Sequence, residues 1–182
     1  MKTPLSGATR PLRTHHLRAI RVWLSIFVFG LLLSGITAFP LVSEIRWLDA
    51  VLHTHALHSA AEQTHLLTWI DRVNTALSAT NAQYPFLAYG TDWLAFAHLV
   101  IAIAFIGPWI DPVRNKWVIT FGLIACAGVI PLALLAGTIR EIPWGWRLVD
   151  CSFGFAGCVP LLICKRHIRA LENGEGESAG AD

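Results

Sequence analysis

Four of the chain's eight histidines crowd into the stretch "VLHTHALHSAAEQTHLLTWIDRV", residues 51–73. At roughly 100° per residue, a helix through this stretch gathers His55, His58, Glu62 and His65 within an arc of about 80° and turns His53 away. Imidazoles and a carboxylate at three- and four-residue intervals can converge on one metal ion. Glu62 and His65 also have the Glu-x-x-His spacing of carboxylate-bridged di-iron bundles. Those bundles need two such motifs and two further glutamates, whereas this chain offers one motif. Nor does "HTHALH" have the H-E-x-x-H spacing of zinc proteases.

A second chemistry competes with ligation. Leu48, Val51 and Leu52 precede the histidine arc, and Leu66, Trp69, Ile70 and Val73 follow it, so the polar patch sits in the middle of an apolar face. A helix lying at a membrane surface presents such a mixed face to lipid headgroups. Spacing alone favours this headgroup-facing patch over a ligand set, with proton handling third.

Two further features carry charge into apolar surroundings. His98 lies six residues beyond Asp92 inside an apolar run, hence about 9 Å deeper along a helix axis. An ionisable group at that depth is costly and is a candidate cofactor or haem ligand. Its alternative is a neutral imidazole bonded to a hydroxyl or carbonyl of another span. Arg147 and Asp150 stand at i and i+3, where they can pair. With Asp92, Arg140 and Glu141 they suggest a polar cluster at the outer rim, either an ion-pair network that holds helix ends or a site for a small polar or anionic ligand.

The elements that must position these groups follow from hydropathy. Only 14% of the 182 residues are charged and 54% are hydrophobic, where an ordinary soluble domain is roughly a quarter charged. Four runs approach the 20 or so apolar residues needed to cross a bilayer: Val22–Phe39, Trp93–Ile110, Trp117–Ile139 and Trp146–Cys164. The expected fold is an all-α membrane protein, four transmembrane helices in an antiparallel bundle, with an outer amphipathic helical segment between spans one and two. Pro131 should kink the third span. A cleaved signal peptide over the first run is the rival reading, but Ile36 occupies the position three residues before Phe39, where a small side chain is required.

Basic side chains retained in the cytoplasm set orientation. Ten of the 14 Lys and Arg residues flank the first span on its N-terminal side, sit between spans two and three, or follow span four. Arg46, Arg72, Arg140 and Arg147 face the other side together with seven acidic residues. Trp23, Trp109 and Trp117 mark one headgroup level, and Trp93, Trp144 and Trp146 the other. Both termini are therefore expected in the cytoplasm, with the bacterial inner membrane the expected home.

Residues 1–18 read as a disordered basic arm able to touch anionic lipid, residues 19–171 as the four-span domain, and residues 172–182, "ENGEGESAGAD", as a low-complexity disordered tail. The insertion over 41–91 is free of proline and glycine from 44 to 79, which fits one helix or two. Pro85 and Gly90 should mark irregular chain re-entering the membrane. "DPVRNK", residues 111–116, reads as a tight turn with Asp111 as N-cap and Pro112 in the first helical position.

Cys126, Cys151, Cys158 and Cys164 form no CxxC pair and fall inside spans, so they are packing residues and not a disulfide or zinc framework. "GFAG", residues 154–157, offers a small surface for close helix packing. A net charge of +2 gives no footprint for nucleic acid. No catalytic motif emerges. The expected role is a non-catalytic accessory or scaffold subunit that contacts the lipid bilayer and membrane partners or further copies of itself. The alternative is a metal- or haem-binding redox or hydrolytic protein acting on a lipid-soluble substrate.

Overall fold

A computed structural model describes residues 9–54, 62 and 66–179. Its elements are α1 (Thr9–Ala38), α2 (Leu41–Leu52), α3 (Leu66–Gln83), a 3-10 turn (Pro85–Ala88), α4 (Tyr89–Ala104), α5 (Ile106–Ile110), α6 (Lys116–Ile139) and α7 (Trp144–Ala179). No strand occurs among the described residues. Four helical stretches are long and apolar enough to cross a membrane: Leu12–Ala38, Pro85–Ile110, Lys116–Ile139 and Trp144–Gly174. They coincide with the four apolar runs of the sequence. The histidines at 55, 58 and 65 lie outside the described residues.

Proline chemistry accounts for the breaks. α1 stops at Ala38, two residues before Pro40, where the position preceding a proline disfavours continued helix. Tyr84 precedes Pro85 and leaves the helical region, at φ −136° and ψ 64°, so α3 ends and the chain restarts as a 3-10 turn. The irregular stretch is shorter than Pro85 and Gly90 suggested, since Gly90 already lies within α4. Pro108 lacks the N–H that would bond the carbonyl of Ala104, and there α4 gives way to α5. α6 is assigned without interruption through Pro131.

Packing divides the chain into two units. The first comprises the described parts of Met1–Gly30, Ala102–Pro131 and Cys151–Asp182. Its buried side chains include Ile20, Leu24, Phe105, Ile119, Leu161 and Cys164, and the Phe27 and Phe105 rings lie 4.8 Å apart. A Cβ on Gly154 would fall 2.6 Å from the Cys126 carbonyl oxygen, and one on Gly157 2.7 Å from the Cys126 sulfur. The "GFAG" surface thus lets α6 and α7 approach more closely than any larger residue allows. All four cysteines are free thiols, as the sequence implied. "DPVRNK" is a tight turn, but Asp111 ends α5 and is not the N-cap of α6, which starts at Lys116; the Asp111 carboxylate instead accepts from the Arg114 N–H within the turn, at 3.1 Å.

The second unit comprises the described parts of Leu31–Ile101 and Leu132–Asp150. α2 and α3 pack on one another here. Leu52, Leu67 and Ile70 are buried between them, with Leu48, Leu66, Trp69 and Trp146 packed around that core. Among the described residues the insertion therefore holds two packed helices, and their core takes Leu48, Leu52, Leu66, Trp69 and Ile70 from the apolar arc, leaves out Val51 and Val73, and adds Leu67.

Candidate metal centre

The break after Leu52 decides which histidine meets which carboxylate. His53 stands at the C-terminal cap of α2, where unpaired carbonyls collect and a cationic or donor side chain is favoured. Its Nδ1–H donates to the Asp49 carbonyl at 2.9 Å. That bond leaves Nε2 as the nitrogen with a lone pair, 3.8 Å from Oδ1 of Asp71 on α3. The Asp49 Oδ1 lies 3.3 Å from Nδ1. Asp49, His53 and Asp71 each present a ligand atom within 4.8 Å of the others.

Asp49 is held in place from behind. Asn74 donates to its Oδ2 at 2.7 Å, Ser78 donates to Asn74 at 3.4 Å, and Arg46 donates to Ser78 at 3.4 Å. Outer partners of this kind orient carboxylate and imidazole ligands in metal sites. The other oxygen, Oδ1, is closed off from solvent and accepts no hydrogen bond. Two carboxylates face each other with one acceptor unsatisfied, which is costly in the absence of a proton or a cation.

The ionisation of the group reflects this. The nearby Asp49 carboxylate, with which a proton is favourably shared, holds the Asp71 carboxyl above its usual range, and partial burial adds to the effect. The bond to the Asp49 carbonyl, more than the two carboxylate charges, holds His53 above the ordinary imidazole range. An imidazole nitrogen and two carboxylate oxygens form a donor set suited to a divalent first-row cation, with Zn²⁺ the simplest case.

One continuous helix through residues 53–65 would turn His53 away from Glu62 and the other histidines. The helix instead ends at Leu52, which frees His53 to cap it. The usable signal was the Asp49–His53 pair at i and i+4. Of the stripe itself, Glu62 is helical and exposed.

Among the described residues, His98 bonds within its own helix and not to another. Its Nδ1–H donates to the Leu94 carbonyl one turn back, at 2.8 Å. Its Cβ occupies the notch left by Gly35 of α1, where an added Cβ would come within 2.9 Å. Nε2 is thereby left as the acceptor nitrogen.

The rim residues are arranged otherwise than a mutual ion-pair network. Arg147 donates through Nε to the Ile142 carbonyl at 2.7 Å and through a terminal nitrogen to the Thr138 hydroxyl at 2.8 Å. Its guanidinium also lies 5.8 Å from the Trp144 ring centre. Among the described residues, no ion pair joins any two of Asp92, Arg140, Glu141, Arg147 and Asp150. The Thr138 hydroxyl at the end of α6 and the Ile142 carbonyl just beyond it hold the guanidinium in place of Asp150.

Three histidines that the sequence did not single out also meet, in the first unit. His16 Nδ1 and His167 Nδ1 lie 2.8 Å apart, with the His15 ring 5.6 Å from His16 and 6.1 Å from His167. A bond between two Nδ1 atoms requires one imidazole to donate and the other to accept, so at most one of them is charged. With 151 residues between the partners, no local spacing could have revealed it.

Four apolar helices of spanning length fit a multi-pass membrane protein. Beyond that class, comparison of the chain with protein families, curated proteins and solved structures finds no match.

Proposed function

We propose that this chain is a non-catalytic membrane protein, a scaffold or accessory subunit, whose extramembrane helical pair is fastened by a divalent cation. The observation that carries the reading is the unsatisfied Asp49 oxygen beside His53 and Asp71. A cation there would tie α2 to α3 and replace a repulsion with two bonds. His55, His58, Glu62 and His65 belong to the link between those helices and are donors of the right type for a fourth position. The excess of lysine and arginine supports placing the insertion outside the inner membrane, with both termini in the cytoplasm. Only 11% to 28% of each span's most apolar window is buried within the chain, so the remaining surface is available to lipid, to membrane partners or to another copy.

The test is metal analysis of the purified protein, together with an absorption spectrum and thermal unfolding with and without Zn²⁺. About one equivalent of metal should be retained, and saturating Zn²⁺ at 100 times its Kd should add about 2.7 kcal/mol of stability. Asp71→Asn should abolish that gain while leaving the metal-free protein as stable as before or more so. A metal-free preparation that Zn²⁺ fails to stabilise would refute the reading. A haem band lost in His98→Ala would replace it with the redox alternative.

A further inference from the structure

We infer that the N-terminal half of α1 carries a built site for one anionic phospholipid. Thr14, Leu17, Arg18, Arg21, Val22, Ser25 and Ile26 recur at three- and four-residue intervals and form one face of the helix. Trp109 of α5 closes that face into a groove of about 580 Å³. The groove is graded along its length. Arg18 and Arg21 mark one end, and Val22 and Ile26, each about half exposed, continue it. From Arg18 to Ile26 is about 12 Å of helix, the scale of the transition from headgroup to acyl chain.

Trp109 fixes the boundary between the two ends. Its indole N–H donates to Ser25 at 3.2 Å, and its carbonyl accepts from Arg21 Nε at 3.4 Å. The Arg21 guanidinium lies 5.1 Å from the indole ring centre. These contacts hold the guanidinium plane while its terminal nitrogens stay available to a phosphate, which Arg binds through paired donors. Arg18 is exposed and stands one turn away on the same face. Two guanidiniums over an apolar slot match a phosphate monoanion carrying acyl chains better than a zwitterionic headgroup or a free anion.

The inference rests on the membrane reading but not on the metal site, so the two can fail separately. The full chain, extracted from membranes in neutral detergent, is titrated with phosphatidylglycerol, with phosphatidylcholine of the same chains, and with inorganic phosphate. Native mass spectrometry and thermal unfolding supply the readouts. Phosphatidylglycerol should be retained at one per chain and raise the unfolding temperature, and the other two should not. Arg18→Gln with Arg21→Gln should weaken binding about 30-fold, the change expected when two cationic contacts are lost. Val22→Trp keeps both charges and fills the slot, so it should also weaken binding. Equal binding of phosphatidylcholine, equal binding of inorganic phosphate, or wild-type affinity in both the double variant and Val22→Trp would overturn the site.

Discussion

The α2–α3 helix pair and the link between α6 and α7 both gather charge, yet their hydrogen-bonding balances are opposite. At the link, Arg147 is matched by the Ile142 carbonyl and the Thr138 hydroxyl. In the helix pair, two carboxylates and an imidazole converge, and the buried Asp49 Oδ1 has no hydrogen-bond donor unless a neighbouring group is protonated. A guanidinium already held by two acceptors of its own chain and set beside an indole ring is a fastening. Surplus acceptors facing one another are where a cation or proton gains most.

The largest effect should come from breaking the satisfied cluster. Arg147→Ala strands the Ile142 carbonyl and removes two charge-assisted hydrogen bonds, so thermal unfolding in detergent should show a loss of about 3 kcal/mol. Arg147→Lys should recover only part of it, because an ammonium cannot bridge both acceptors with the planar fork of a guanidinium. Asp150→Asn should be close to neutral. A loss in Asp150→Asn as large as in Arg147→Ala would restore the ion pair read from the sequence.

The unsatisfied cluster should announce itself through the sign of its pH dependence. His53 and Asp71 both titrate above their ordinary values in the fold. The metal-free native state therefore binds protons more tightly than the unfolded chain, and stability is greatest in acid. It should fall as pH rises through the carboxylate range, and again through the imidazole range. Zn²⁺ competes with those same protons, so its affinity should rise over that interval. Unfolding curves at pH 5 and pH 8 should then reverse their order when Zn²⁺ is added. Parallel curves with and without metal would show that the cluster is an ion pair and nothing more.

How legible these clusters were depends on what each requires of the chain. The four long apolar helices and most of the apolar face of the helix pair follow from hydropathy and periodicity, which are local. Leu48, Leu52, Leu66, Trp69 and Ile70 were readable as part of one face and pack together, whereas Val51 and Val73 of that face stay outside the core and the buried Leu67 was not read as part of it. His53 was lost because its position depends on where α2 stops, and residues 44–79 contain no proline or glycine to announce that stop. Arg147 was readable as a charge next to apolar chain but paired with the wrong kind of partner; it is half-buried, not buried. Side-chain spacing pointed to Asp150, whereas the competing acceptors are backbone groups that any sequence carries. The His16–His167 contact needed the tertiary fold outright.

The finest distinction concerns Glu141, which the sequence grouped with the rim charges. α6 ends in a Schellman motif: the Ile142 N–H bonds the Gly137 carbonyl at 2.9 Å and the Glu141 N–H approaches the Thr138 carbonyl at 3.3 Å. Glu141 supplies the left-handed residue this requires, at φ 56°, a conformation that suits glycine and strains other side chains by roughly 1–3 kcal/mol. Glycine would relieve the strain but lose more chain entropy on folding, about 0.5–1 kcal/mol. If Glu141 serves only the turn, Glu141→Gly should therefore raise stability by about 1 kcal/mol, read as a small upward shift in unfolding temperature. If its carboxylate instead holds a ligand or a partner at the rim, the same substitution should lower stability or weaken that binding. Strain retained at a position glycine could fill would then be the mark of a second functional site, and the satisfied cluster would no longer be purely structural.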